Sequence, residues 1–299
     1  MANLGFLGLG IMGGPMAKHL IDAGHSVALW SFTADKAEKL AAGNAATPCK
    51  TPADVAALSD IIFLCVGDTA MSRECILGAE GLIQKAKPGT IIIDCSTVSP
   101  SESKKIGEAL AAKGIDFLDA PVTGSKAGAE NGKLTFMVGG KKELFDKLEP
   151  FFKNMGELLY YCGSAGMGLN AKLSQNMVLG SLLQAFNESM VLAVKAGVDP
   201  ELMLDILNNS AAKSTFISAK APMIFRRDFT TNFSVKWLEK DMQLMLDSAA
   251  EQNVPAPITA VSTQMLRAAI AKGYGEDDIA GSIRLLEDLT GTEVKAKSK

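Results

Sequence analysis

Histidine is nearly missing from this chain. Only His19 and His25 occur in 299 residues, both beside the first expected helix and none in the second half. Each reads as structural, so a proton donor in the second half has to be another residue type. Cysteine is present but unorganised: Cys49, Cys65, Cys75, Cys95 and Cys162 form no CxxC pair. With so few histidines this excludes the usual zinc spacings, and no metal is expected. Cys65 and Cys95 lie in apolar, strand-like runs and read as core fillers. An excess of one charge is also lacking, with 30 basic against 33 acidic residues and a net charge of -3. Overall charge therefore points to neither a nucleic-acid nor an anionic-membrane binder. The basic end Lys295-Ala-Lys297-Ser-Lys299 is short and reads as solvated. Met1-Ala-Asn-Leu runs straight into a strand without a secretory leader, and unpaired thiols fit a reducing, cytoplasmic setting. Repeats and low-complexity stretches are absent.

What is present falls into two rhythms. The first half alternates short apolar runs with amphipathic stretches: Leu4–Leu9, Ser26–Ser31, Ile61–Val66, Thr90–Cys95 and Asp116–Asp119 as strands, Met12–Ala23 and Ala34–Ala42 as helices. Leu134–Val138 and Leu158–Cys162 continue the strands. This alternation predicts an α/β domain with a mostly parallel, doubly wound sheet, over residues 1–164. From about Ala165 strand signals fade, and residues 165–299 read as an all-α domain. Leu169–Ala196 is a helix of roughly 40 Å at 1.5 Å per residue, ended by Gly197 and joining the two domains. Asp199-Pro200 opens the next helix. Trp237–Asn253, Ala260–Lys272 and Asp277–Leu289 follow, while Ala211–Arg227 is left as loops and Met223–Asn232 as irregular chain. The long helix carries Lys172, Gln175, Asn176, Gln184, Asn187 and Glu188, so it does not read as a membrane span. A helix apolar nearly all round outruns the core of its own domain, which points to a homodimer or homotetramer.

The first strand ends in Gly8-Leu9-Gly10-Ile11-Met12-Gly13. The first glycine makes a tight turn, the second lets backbone approach a pyrophosphate, and the third lets helix and strand pack closely. The helix start adds free N–H groups and positive potential. Its place after a strand and at the head of a βαβ unit marks a dinucleotide site. At the end of the second strand stands Ser31-Phe32-Thr33-Ala-Asp35-Lys36. The acidic residue that would hold an adenosine ribose and repel a 2′-phosphate is replaced by Ser31. Ser31, Thr33 and Lys36 can cradle a phosphate while Phe32 lies against adenine. The reading leans to NADP, with NAD left open.

In Gly166-Met-Gly168-Leu-Asn-Ala-Lys172-Leu-Ser-Gln-Asn176 a lysine precedes an asparagine by four residues, one face of a helix. A desolvated lysine is a tunable acid and base. The same spacing also fits a lysine snorkelling from a core helix.

Four blocks in order resemble the β-hydroxyacid dehydrogenases, nearest the glyoxylate/succinic semialdehyde reductase branch. They are Gly8–Gly13, Asp119-Ala-Pro121-Val122-Thr123-Gly124-Ser125, Gly166 to Asn176, and Lys240-Asp241-Met242. The resemblance implies Lys172 as the catalytic acid/base and Asn176, Thr123, Gly124, Phe233 and Asp241 around the substrate. It also implies Thr97, Lys240 and Val66 at the cofactor. It departs in two places: Thr123 stands where the family usually has serine, and Ser31-Phe32-Thr33 where it commonly has Asn-Arg-Thr. The implied activity is reduction of a small carboxylate-bearing aldehyde or 2-oxo acid to the hydroxy acid. Oxidation of 3-hydroxyisobutyrate, imine reduction on the same scaffold, and non-catalytic dinucleotide binding are the alternatives. On residue spacing alone, Lys240 and Asp241 are not expected to pair, since neighbours on a helix diverge. Arg226-Arg227 reads as a solvated turn rather than a clamp for a distal carboxylate.

Overall fold

The computed structural model describes residues 2–296; Lys297 and Lys299 of the basic end lie outside them. Two compact units, Met1–Lys172 and Leu173–Lys299, divide the chain. The division falls inside a helix, later than the 164/165 boundary that the change of rhythm predicts.

The first unit is a nine-stranded sheet with helices between strands. In chain order the elements are β1 (Asn3–Leu7), α1 (Gly13–Asp22), β2 (Ser26–Trp30), α2 (Ala34–Ala41), β3 (Ala46–Pro48), α3 (Pro52–Leu58), β4 (Ile61–Leu64), α4 (Thr69–Leu77), β5 (Ile91–Asp94), α5 (Pro100–Ala111), β6 (Asp116–Asp119), β7 (Val122–Thr123), α6 (Ser125–Glu130), β8 (Leu134–Gly139), α7 (Lys142–Met155) and β9 (Gly156–Gly163). The spatial order is β3-β2-β1-β4-β5-β6-β8-β7, with β9 beside β8. All pairings from β3 to β6 are parallel; β8 runs antiparallel to β6 and β7 and parallel to β9. The order reverses between β1 and β4, the crevice where open parallel sheets bind ligands. The central strands explain this burial: Ile61–Leu64 and Ile91–Asp94 are buried at every position, as strands covered on both faces must be. Helix starts follow the cap-then-proline rule at Thr51-Pro52 and Ser99-Pro100, where each hydroxyl accepts the N–H of the helix's third residue. The two histidines are structural contacts. His19 Nε2 lies 3.0 Å from the Ala129 carbonyl, and His25 packs on Phe151.

The second unit is helical. It contains most of α8 (Met167–Lys195), then α9 (Pro200–Asn208), α10 (Thr215–Phe225), α11 (Val235–Glu251), α12 (Pro257–Ala269) and α13 (Ile283–Thr290). Gly197 ends the chain's longest helix with φ +97°, and the Val198 N–H reaches back to the Ala193 carbonyl, the bonding of a Schellman cap. Asp199 caps α9 ahead of Pro200, as expected. Length and apolar content alone would let α8 cross a membrane, yet Lys172, Asn176, Gln184 and Asn187 are all buried on it.

Two expectations fail here. Thr215–Phe225 is a helix, not loop: Ser214 caps it, and Ile217, Ala221, Ile224 and Phe225 bury one face. Pro222 within it obscures the period without breaking it. Arg226 and Arg227 do form a turn, with Arg226 exposed, but Arg227 is not solvated. Its φ of +56° turns the guanidinium onto buried Glu287 with two N–H···O bonds of 2.7 and 2.8 Å. A third bond runs to the Val294 carbonyl. Committed to this internal ion pair, Arg227 has no fork left for a substrate carboxylate.

Candidate active site

Glycine 8 has φ +88°, and an added Cβ would stand 2.2 Å from the Cys65 carbonyl oxygen. Gly13 is equally constrained, its missing Cβ lying 1.9 Å from the Gly8 carbonyl oxygen and 3.0 Å from the Phe6 ring. Gly10 differs: a Cβ there meets nothing within 4 Å. Two glycines therefore let the chain pack on itself, and the middle one keeps an outer surface clear. Leu9 is buried beneath the loop and Ile11 is exposed. Met12 precedes α1 without a side-chain cap, and no acidic residue occupies the first turn. Among the described residues the N–H groups of Gly10, Ile11 and Met12 donate to no backbone acceptor. Open backbone, free donors and a helix start fit a pyrophosphate.

Each further cofactor candidate in this unit lies past the carboxyl end of a parallel strand. Ser31 follows β2, Val66 lies past β4, and Thr97 past β5. Phe32 is 56% exposed, and its ring meets Trp30 edge-on at 4.7 Å. Trp30 is fixed by its indole N–H bond to the Lys50 carbonyl. Thr33 and Lys36 are exposed; Asp35 lies toward Lys39, 3.7 Å away.

Behind Val66 and Thr97 lies a network that the sequence reading missed. Buried Asp94 accepts the Ser72 hydroxyl at 2.5 Å and the Ser96 N–H at 2.8 Å. The Ser96 hydroxyl oxygen accepts the Val66 N–H at 2.8 Å. One carboxylate thus ties together the ends of β4 and β5, the two strands on one side of the crevice. Burial pushes its pKa up to about 6, against the hydrogen bonds from Ser72 and Ser96. The available signal was Asp94-Cys-Ser96, an acidic residue closing on an N–H two positions later.

Thr123 pairs with Thr135 on β8, and Gly124 turns the chain with φ +133°. Lys172, one helical turn before Asn176, is only 7% exposed. Within the helical unit Asn176, 1% exposed, donates its amide N–H to Asp241 Oδ2 at 2.7 Å. Lys240 Nζ lies 2.9 Å from Asp241 Oδ1. This overturns the expectation that these neighbours would not pair: their Cβ bonds diverge, but a four-carbon stem is long enough to fold back. Asp241 is thus an orienting group between Lys240 and Asn176, and the amide oxygen of Asn176 is outside that bond. Phe233 is half-buried. Its N–H donates to Asp278 Oδ2 at 3.2 Å, and buried Asp278 pairs with Lys220 at 2.6 Å. Asp278 and Lys220 were also missed, since an acid before Ile279 gives no sign that it collects a segment from forty-odd residues upstream.

Fold and site together define a nicotinamide-dependent oxidoreductase of the Rossmann class. Residues 3–163 match the NAD-binding domain of 6-phosphogluconate dehydrogenase, and residues 166–286 match the NAD-binding domain of NADP-dependent 3-hydroxyisobutyrate dehydrogenase. The chain is 38% identical to 2-(hydroxymethyl)glutarate dehydrogenase of Eubacterium barkeri over 98% of its length and 97% of the relative's. It is 34% identical to the chloroplastic glyoxylate/succinic semialdehyde reductase 2 of Arabidopsis thaliana, over 95% of this chain and 79% of that one. The solved structure of Mycobacterium tuberculosis 3-hydroxyisobutyrate dehydrogenase with L-serine superposes with a TM-score of 0.87 at 29% identity, covering 96% of this chain and 99% of that one. The chain belongs to the β-hydroxyacid dehydrogenase family and acts with NAD(P) on a CH–OH group.

Proposed function

We propose that the chain reduces a small carboxylate-bearing aldehyde or 2-oxo acid, glyoxylate or succinic semialdehyde, to the hydroxy acid, with NADPH preferred. The observation that carries this reading is an amine and an amide, both buried, one turn apart on α8. A buried lysine is costly unless its proton is used or shared. The names of the Arabidopsis and Eubacterium relatives support a carboxylate-bearing substrate. The preference for NADPH is supported by the missing acid at Ser31 and by Thr33 and Lys36 standing exposed beside it.

When bound, the reduced nicotinamide supplies the hydride to the carbonyl carbon. Lys172 polarises the carbonyl oxygen and gives its Nζ proton to the alkoxide as the C–H bond forms. In the oxidative direction the neutral amine takes that proton back. Asn176, oriented by Asp241, and Thr123 with the Gly124 N–H hold the carboxylate, and the methyl group of Thr123 tightens the fit around it. Phe233 supplies an apolar wall.

The test is steady-state turnover with NADPH and NADH over glyoxylate, succinic semialdehyde, 3-hydroxyisobutyrate and a cyclic imine. The expected result is fastest turnover with one of the first two and NADPH. Faster turnover of the imine, or none on any acid, removes the reading. Lys172→Ala should lower kcat by about 10²- to 10⁴-fold, the usual worth of a general acid, with the NADPH dissociation constant unchanged. Wild-type turnover in that variant ends the assignment.

A further inference from the structure

Helix α8 begins with no acidic residue in its first turn. The Met167 N–H donates to the Ser164 carbonyl, and a carboxylate from the sheet accepts N–H groups on either side of it. Asp119, at the end of β6 and fully buried, accepts the Gly166 N–H at 2.6 Å through Oδ1 and the Leu169 N–H at 2.9 Å through Oδ2. Each oxygen holds one donor, so the carboxylate fixes both the position and the rotation of the first turn. Lys172 comes three residues after Leu169, on the same face one turn on. In the other direction along the chain, Asp119 opens the segment that carries Thr123 and Gly124.

The surrounding chain is cut to fit this carboxylate. At Gly139, the β8 residue opposite Asp119, a Cβ would stand 2.6 Å from Oδ1. At Gly168 it would stand 2.3 Å from the Met137 carbonyl oxygen and 2.9 Å from Asp119 Oδ2. Two glycines thus make room for one acid. Three backbone segments meet on it: the strand leading to Thr123, β8, and the start of α8.

We propose that Asp119 is a positioning residue for Lys172, fixing the amine through the first turn of α8 relative to the Thr123–Gly124 segment. The proposal rests on Lys172 being the acid–base group. Asp119 itself exchanges no proton with substrate; its two oxygens are taken by backbone donors. Any disturbance of it reaches the reaction through the amine, where a displacement of about 1 Å is enough to cost on the order of 10²-fold in rate.

A double-mutant cycle with Lys172 tests this. With glyoxylate or succinic semialdehyde, Asp119→Ala should lower kcat by about 10- to 100-fold and leave the NADPH dissociation constant within about twofold, the glycine loop being remote in sequence and separately built. Asp119→Asn, which keeps one acceptor oxygen for one of the two N–H groups, should recover part of the loss. On the Lys172→Ala background, Asp119→Ala should cost nothing further, because its effect passes through the missing amine. An equal fold-loss in both backgrounds means a general structural role and overturns the proposal, as does unchanged kcat in Asp119→Ala. If Asp119→Ala does not fold, Asp119→Asn and Gly168→Ala run through the same cycle, the latter crowding the same contact from the α8 side. Wild-type turnover in Lys172→Ala is a separate failure: it refutes the earlier reading and takes this one with it.

Discussion

The two units hold their candidate site residues with different materials. The N-terminal unit uses backbone: Gly8, Gly10 and Gly13 shape a loop, and Val66 is held through its N–H. The C-terminal unit uses side chains held by side chains, with Asn176 and Lys240 on Asp241 and Lys220 on Asp278. A backbone site tolerates almost any side chain and punishes an added Cβ. A side-chain site tolerates small backbone shifts and punishes loss of its buried carboxylate.

The broadest effect, on stability and cofactor binding together, should come from crowding the loop. Gly13→Ala forces a Cβ onto the Gly8 carbonyl, and overpacking of this kind costs about 1–3 kcal/mol. A fall in the denaturation midpoint together with lost NADPH binding is the expected result. Gly10→Ala is its counterpart: with nothing within 4 Å, it should fold like the wild type yet bind NADPH about tenfold or more weakly, because the pyrophosphate approach is blocked. Calorimetry of cofactor binding beside thermal melts separates the two. Equal stability losses would break the distinction between packing glycines and a ligand-facing one.

Asp241→Ala is the matching test in the helical unit. It removes the acceptor of both Asn176 and Lys240, and hydrogen bonds to a charged group are worth about 1.5–3 kcal/mol. Stability should fall by that order in denaturant titrations, and KM for the acid should rise while NADPH affinity holds. A lost NADPH affinity with normal KM would reassign Asp241 to the cofactor.

The narrowest effect, confined to one pH window, is a pH slope. Asp94 has its pKa raised by burial from 3.8 to about 6. Between those values the folded chain holds a proton that the unfolded chain has released. This group's contribution to stability therefore falls as pH rises through the window, by at most about 1.4 kcal/mol per pH unit, and the penalty is complete above it. Asp94→Asn cannot ionise and should lose that slope. Unfolding free energies at pH 4, 5 and 6, wild type minus variant, measure it; a difference independent of pH would mean that Asp94 is already charged at pH 4.

The difference between the units also explains what could be read from the chain. The glycine loop, the parallel strands and the Gly197 end of α8 were legible because each depends on local rules of φ, period and capping. Lys172 and Asn176 were legible as a spacing, but only the resemblance attached roles to them. Asp94, Asp119, Lys220 and Asp278 were not read as organisers, because what they hold comes from distant parts of the chain. Asp119 takes donors from residues 166 and 169, and Asp278 takes them from residues 232 and 233. An acid at a strand end looks the same in sequence whether it faces water or gathers two segments. The pairing of Lys240 with Asp241 was missed for a simpler reason: the helical rule describes Cβ directions, and a lysine is longer than the rule.

The chain's two tryptophans fall one to each unit, and each stands beside a group discussed above. Trp30 supports the exposed ring of Phe32, and Trp237 lies beneath the ammonium groups of Lys236 and Lys240. The molecule thus carries two indole fluorophores at separate stations. Replacing either one with phenylalanine leaves an indole that watches a single half, so that events beside Phe32 and at the lysine pair are observed one at a time without an added label.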